Sequence, residues 1–102
     1  MHDIETLTGT LLDDADLTLE QVATACLVEP AWLIGHIEAD LFPQVEHVAG
    51  RWCFTPAALV RARRMHALER DFDAVPELAA LMADLLEEMD TLRTRLRCAG
   101  LR

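Results

Sequence analysis

The side chains best suited to recognition chemistry lie between residues 29 and 40. Glu29, Trp32, His36 and Asp40 are spaced by three, four and four positions, and Glu38 lies close by. On a helix this spacing places them on one outward face. Carboxylates around an aromatic side chain suit contact with a basic protein surface, because the aromatic group adds buried area and the charges add steering. The alternative is a solvated helix face with Trp32 packed against a neighbouring hairpin, and for Trp32 the two interpretations remain equal.

A second candidate set is basic. Arg61 and Arg64 lie on a later segment and are expected in solvent, where they would meet phosphates or a carboxylate of a protein partner. The favoured alternative is local pairing with carboxylates such as Glu69 and Asp71, each exposed pair contributing about 0–1 kcal/mol. Both arginines stay candidate partner-binding residues.

Patterns typical of catalysis or metal binding are not found. The histidines and cysteines lack the spacing of metal ligands, and there is no glycine-rich phosphate loop or nucleophile set. The residues in question are His2, His36, His47, His66, Cys26, Cys53 and Cys98. We therefore predict free, partly buried thiols, no metal, no cofactor and no enzymatic activity.

The two halves of the chain differ in charge. Residues 1–50 have ten carboxylates and no Lys or Arg, whereas residues 51–102 have nine arginines and eight carboxylates. The formal charges are therefore −10 and +1. A surface with such an acidic excess repels phosphate and cannot gain the counterion-release energy that dominates nucleic-acid binding. We expect the first half to contact a protein, not a nucleic acid.

Size and composition set the class of protein. A chain of 102 residues accommodates one domain and one long accessory element. It has no apolar run of the ~18 residues that a membrane span needs, and its N-terminal MHDIETLTGT has no feature of a targeting segment. Three widely spaced cysteines do not suggest a disulfide framework. We expect a cytoplasmic protein without membrane contact.

The elements that position the candidate residues are expected to be mainly helical. Residues 1–16 form an N-terminal arm, for which an edge strand and disorder are both open. Thr18 and Gln21 make a capping box for a first helix at residues 19–26. Pro30 suits the first position of a second helix that runs to about Leu41. Two short helices joined by a tight turn form a helix-turn-helix.

The rest of the body, which spans residues 17–73, adds a hairpin and a third helix. The dipeptide Ala49-Gly50 between short apolar segments predicts a small β-hairpin, or wing. Thr55-Pro56 then begins a helix that ends at Phe72 or Asp73. Its inward residues are expected to be Ala58, Ala62, Met65, Leu68 and Phe72.

Residues 74–102 are predicted to form one long helix with a coiled-coil pattern. Apolar residues alternate at spacings of three and four, and we call them the Leu/Met row: Val75, Leu78, Met82, Leu85, Met89, Leu92 and Leu96. Leu81 and Leu86 widen its first half, which should pack on its own subunit. The second half needs a partner, because a lone helix of this kind is marginal in water. We predict a homodimer through Leu85, Met89, Leu92 and Leu96; the alternative is a helix that folds back wholly onto its own domain.

From Leu17 to Leu96 the chain resembles the CbpM family of chaperone modulators and, more broadly, the DNA-binding half of MerR-type regulators. The matching segments are LEQVA at 19–23, WLI at 32–34, RWCF at 51–54, ALVRARR at 58–64, LERDF at 68–72, ELA at 77–79 and LMADL at 81–85. Leu27 and Asp40 depart from the pattern, since glycine is usual at the helix-turn-helix turn and at the end of the second helix.

The resemblance implies a MerR-like winged helix-turn-helix with a C-terminal dimerisation helix. It also implies a co-chaperone modulator that binds the J-domain of a DnaJ-like, curved-DNA-binding-protein type co-chaperone and blocks its access to Hsp70. A J-domain carries a basic helix, which complements the acidic first half. The alternative is a MerR-type transcriptional regulator, which would need several basic residues on the second helix and wing, where this chain has only Arg51. A third interpretation is a small scaffolding coiled coil.

Overall fold

The computed structural model describes residues 16–100. In order, its elements are β1 (Leu17–Thr18), α1 (Leu19–Cys26), α2 (Pro30–Glu38), β2 (Val45–Val48), β3 (Arg51–Phe54), α3 (Pro56–Phe72) and α4 (Pro76–Cys98). The predicted fold class, mainly α with a winged helix-turn-helix, a small hairpin and a long C-terminal helix, is confirmed. The predictions for residues 1–15 of the N-terminal arm lie outside the described residues.

The helix-turn-helix begins as the local sequence dictates. The Thr18 side chain accepts a hydrogen bond from the backbone N–H of Gln21 at 3.1 Å, and the Gln21 side chain accepts one from the Thr18 N–H at 2.9 Å. Leu27 ends α1 in the left-handed conformation, with φ 59°. Pro30 begins α2 as predicted, but α2 ends at Glu38 instead of near Leu41.

The three short strands form one antiparallel sheet in the order β1-β3-β2. The predicted hairpin is present, and its turn residues Ala49 and Gly50 both have positive φ, as a two-residue hairpin turn requires. The sequence did not predict the strand β1, in which Leu17 pairs with Phe54. This pairing fixes the start of α1 beside the wing.

The core lies where α1, α2 and the sheet meet α3. Its largest fully buried apolar side chains are Phe54, Leu17, Leu33, Met65 and Val22. Among the residues predicted to face inward on α3, Ala58, Ala62 and Met65 are buried and Leu68 is half-buried. Phe72 is 75% exposed, so its predicted burial is wrong. It lies one turn beyond Leu68, past the edge of the core.

The long helix α4 packs on α3 with its smallest side chains. Ala79, Ala80 and Ala83 are buried, which allows the two helices to approach closely. All seven members of the Leu/Met row are 37–59% exposed, because at 100° per residue they lie on the side of α4 opposite the alanines. The prediction that Leu81 and Leu86 would join the first half to the body is wrong for Leu81, which is exposed; Leu86 is half-buried.

Between residues 16 and 100, the helices are too short or too polar to cross a membrane.

Candidate partner-binding surface

The face of α2 that points away from the body carries small side chains and the carboxylate of Glu38. Ala31 and Gly35 are exposed on it, and a Cβ placed on Gly35 would meet nothing within 4 Å. The predicted carboxylates Glu29, Glu38 and Asp40 are exposed. Residues 16–50 contain no Lys or Arg, and all their carboxylates are exposed: Asp16, Glu20, Glu29, Glu38, Asp40 and Glu46. We call this region the acidic surface.

Trp32 and His36 do not share that outward face, so this part of the prediction is wrong. His36 is 9% exposed and Trp32 is half-buried, and their rings stack at 3.9 Å. Both contact Glu69 of α3: Trp32 Nε1 donates to Oε1 at 3.0 Å, and His36 Nε2 lies 2.7 Å from Oε2. Glu69 thus draws both polar side chains toward α3, and they fasten α2 to it.

The ring nitrogens of His36 are fully engaged. Nδ1 lies 2.7 Å from the carbonyl oxygen of Trp32, which can only accept, so Nδ1 is the donor. Nε2 lies 2.7 Å from Oε2 of the Glu69 carboxylate. His66 packs edge-on against Trp32 from the side of α3, with ring centroids 5.7 Å apart. These polar contacts set the orientation of α2, and they make Trp32 and His36 positioning residues for the acidic surface.

Arg61 is buried, so the prediction that it lies in solvent is wrong. It is 2% exposed; Nε donates to the carbonyl of Leu41 at 2.9 Å, and Nη1 donates to Asp84 at 2.7 Å and to Glu87 at 3.0 Å. The guanidinium also lies 5.9 Å from the centre of the Phe42 ring. The two α4 carboxylates compensate the charge, which makes its burial tolerable. Arg61 joins α3 to α4 and to the segment after α2, and it is not available to a partner.

Arg64 is half-buried and forms an intramolecular ion pair, although with neither of the expected carboxylates. Its Nη2 lies 2.7 Å from Asp90 Oδ2, and this hydrogen bond lowers the pKa of the Asp90 carboxyl. Of the expected partners, Glu69 binds Trp32 and His36, and Asp71 pairs with the adjacent Arg70 at 2.8 Å. Intramolecular pairing therefore accounts for Arg64 without a partner.

The wing adds little positive charge. Arg51 is exposed at the start of β3, and Glu46 is exposed on β2. The imidazole of His47 stacks on Trp52 at 4.3 Å, while Phe54 is fully buried. Phe54 belongs to the core, whereas Trp52 is half-buried.

Leu27 is an exposed residue that the sequence did not predict as a binding residue. It lies in the turn between α1 and α2 with 86% of its surface exposed and with a positive φ. The signal that could have found it was the departure from glycine at this turn.

The three cysteines are free thiols that differ in exposure. Burial raises the pKa of the Cys26 thiol, Cys53 is half-buried and Cys98 is exposed. In the described part of the chain, no group of three or more His, Cys, Asp or Glu residues is placed to hold a metal ion.

Comparison with known families gives one match. The model of a family described as MerR HTH family regulatory protein matches residues 17–99. No curated protein and no solved structure matches the chain.

Proposed function

The chain belongs to the MerR HTH family of regulatory proteins, and we propose that it regulates by binding a protein instead of DNA. The observation that carries this proposal is the acidic surface. In a DNA-binding helix-turn-helix the second helix enters the major groove and presents Arg, Lys, Asn or Gln to the bases. Here the exposed carboxylates are Glu29 just before α2, Glu38 at its end and Asp40 after it, and no Lys or Arg lies on or beside this helix in the sequence.

We propose a J-domain of a DnaJ-like co-chaperone as the partner. The resemblance to CbpM-type modulators suggests this class, and the charge of the acidic surface suits the basic helix of a J-domain. Complementary charge accelerates encounter and sets the orientation of docking. A chain seated on that basic helix would occupy the surface with which the co-chaperone engages Hsp70, so inhibition would follow from occlusion and no catalytic step is required.

We also propose that two copies pair through α4. The Leu/Met row places exposed apolar side chains at heptad spacing along a helix of 23 residues, a rod roughly 34 Å long. An apolar stripe of this length is typical of a coiled-coil interface. Such a dimer would carry two copies of the acidic surface and could engage two J-domains.

The alternative is a DNA-binding regulator, as the family description would allow. It requires the acidic surface to approach phosphates, with Arg51 the only Lys or Arg among residues 16–54. The two functions respond differently to titration. DNA binding would lose affinity steeply with salt, whereas J-domain binding would saturate at one per subunit.

The test is calorimetric titration of the chain with the isolated J-domain of its own cell's DnaJ-like co-chaperones. Glu29→Lys/Glu38→Lys should weaken binding at least tenfold at low salt, mainly by slowing association. Glu77→Lys/Glu88→Lys, which makes the same charge change on α4, is the matched control and should bind as the wild type does. If both double variants bound the J-domain equally weakly, the loss of affinity would come from the change in net charge alone, and the binding site would not lie at α2.

A further inference from the structure

The turn between α1 and α2 exposes a large apolar side chain in a conformation that does not favour it. Leu27 is 86% exposed, more than any other large hydrophobic residue in the described part of the chain. Its φ of 59° and ψ of 44° lie in the left-handed region, which glycine adopts freely and residues with a Cβ adopt at a cost.

The fold does not use this side chain. The end of α1 is closed by backbone hydrogen bonds alone, from Leu27 N to the carbonyl of Thr24 at 3.3 Å and from Val28 N to that of Ala23 at 3.0 Å. A glycine would make the same bonds without strain. Both the backbone conformation and the exposure of the leucine are therefore unfavourable in the free protein. Such features persist at sites where a contact outside the fold compensates for them.

Exposed carboxylates precede and follow Leu27 along the chain. On α1, Glu20 and Thr24 are exposed and lie four positions apart on one side of the helix, and Leu27 follows the end of that helix. Glu29, the residue before α2, is exposed and lies two positions after Leu27, within about 7 Å along the chain. Along the chain Leu27 thus lies between two exposed carboxylates, Glu20 and Glu29. One basic group is also close, because the exposed Arg63 of α3 lies beside the thiol of Cys26, the residue before Leu27.

We propose that Leu27 is the apolar anchor through which the acidic surface docks a basic amphipathic helix of a protein partner. The inference rests on the proposed function and assigns the anchor that Trp32 cannot supply, since Trp32 is half-buried and bound to Glu69. A protruding leucine between carboxylates matches a helix whose apolar stripe is bordered by Lys and Arg. Nucleic acids and anionic lipid surfaces are disfavoured because the same carboxylates repel them.

The experiment separates the side chain from the backbone strain. Leu27→Asn keeps a residue that tolerates positive φ and removes the apolar group, and Leu27→Gly also removes the strain. Ala49→Gly, which relieves a positive φ of 53° in the wing turn, is the control for strain. The full-length chain is titrated with the isolated J-domain, and thermal unfolding is recorded for each variant. We expect both Leu27 variants to bind at least tenfold more weakly, Leu27→Gly to melt no lower than the wild type, and Ala49→Gly to bind unchanged.

Each outcome bears on a separate claim. Wild-type binding that both Leu27 variants retain within about twofold would overturn the anchor and leave the proposed function in place. A lower melting temperature for Leu27→Gly would show that the side chain serves the fold, and would also overturn the inference. Absence of wild-type binding would overturn the J-domain as partner, and the anchor with it.

Discussion

Removal of the Arg61 guanidinium tests the packing of the whole body. Arg61→Ala deletes a side chain that is 2% exposed and that contacts Leu41 and two α4 carboxylates. No other side chain in the described residues forms hydrogen bonds to both α4 and the segment that follows α2. We expect a large loss of stability from this one substitution.

The contacts set the size of the effect. A hydrogen bond to a charged group contributes about 1.5–3 kcal/mol. Arg61 makes two to backbone carbonyls, that of Leu41 and, at 3.4 Å, that of Ala80, and two to carboxylates. The side chains of Asp84 and Glu87 are 57% and 30% exposed, so water replaces part of what they lose. The Leu41 carbonyl loses its donor, and the guanidinium beside Phe42 leaves a void. Together these give a loss of about 3 kcal/mol, at the low end of values for breaking a buried pair, or roughly 12–24 °C in melting temperature for a domain of this size.

The measurement is urea unfolding followed by circular dichroism at one fixed protein concentration, since the proposed dimer would make apparent stability depend on concentration. Arg64→Ala is the matched control, because it removes an arginine from the same helix whose ion pair with Asp90 is solvent-accessible. Its unfolding midpoint should stay close to that of the wild type. If the two alanine variants were equally stable, the reasoning that Arg61 holds α3, α4 and the end of α2 together would be refuted.

Two further predictions concern α4 and the thiols. Met89→Asp with Leu92→Asp should convert the proposed dimer to monomers in light scattering, because two carboxylates would enter the apolar interface. The control Thr94→Asp, on the opposite side of α4, should leave the dimer intact. A double variant that stays dimeric would place the interface elsewhere. Cys98 should react with a disulfide reagent at neutral pH well before Cys26, whose raised pKa and burial keep it a protonated, shielded thiol. Cys26 should become reactive only at higher pH or on unfolding, and equal rates in the folded protein would contradict its burial.

Local signals in the sequence predicted the elements well. The Thr18–Gln21 capping box and the prolines at 30 and 56 marked the helix starts, since each acts within one turn. Heptad periodicity located α4 and its apolar row. A strand of two residues, β1, has no room to show an alternating pattern, and only its pairing with Phe54 identifies it.

The candidate site was less predictable, because its contacts join residues distant in sequence. Trp32 and His36 have the spacing of an exposed face, but their partner Glu69 lies 37 and 33 positions away. Arg61 is likewise compensated by carboxylates 23 and 26 positions away. A helical projection cannot reveal such partners. The carboxylates on and after α2 are exposed, as predicted, because a charged side chain in water needs no partner within the fold.

The alanine contact of α4 has a consequence for sequence variation. Ala79, Ala80 and Ala83 are buried where α4 packs on the body, so a larger side chain at any of them would push α4 outward and displace the carboxylates that hold Arg61. The Leu/Met row, on the other side, accepts exchanges among apolar residues of similar size. Tolerance to substitution along α4 should therefore be lowest at its smallest side chains and higher at its large apolar ones. The least conspicuous residues of the helix are the ones that evolution or a protein engineer can alter least.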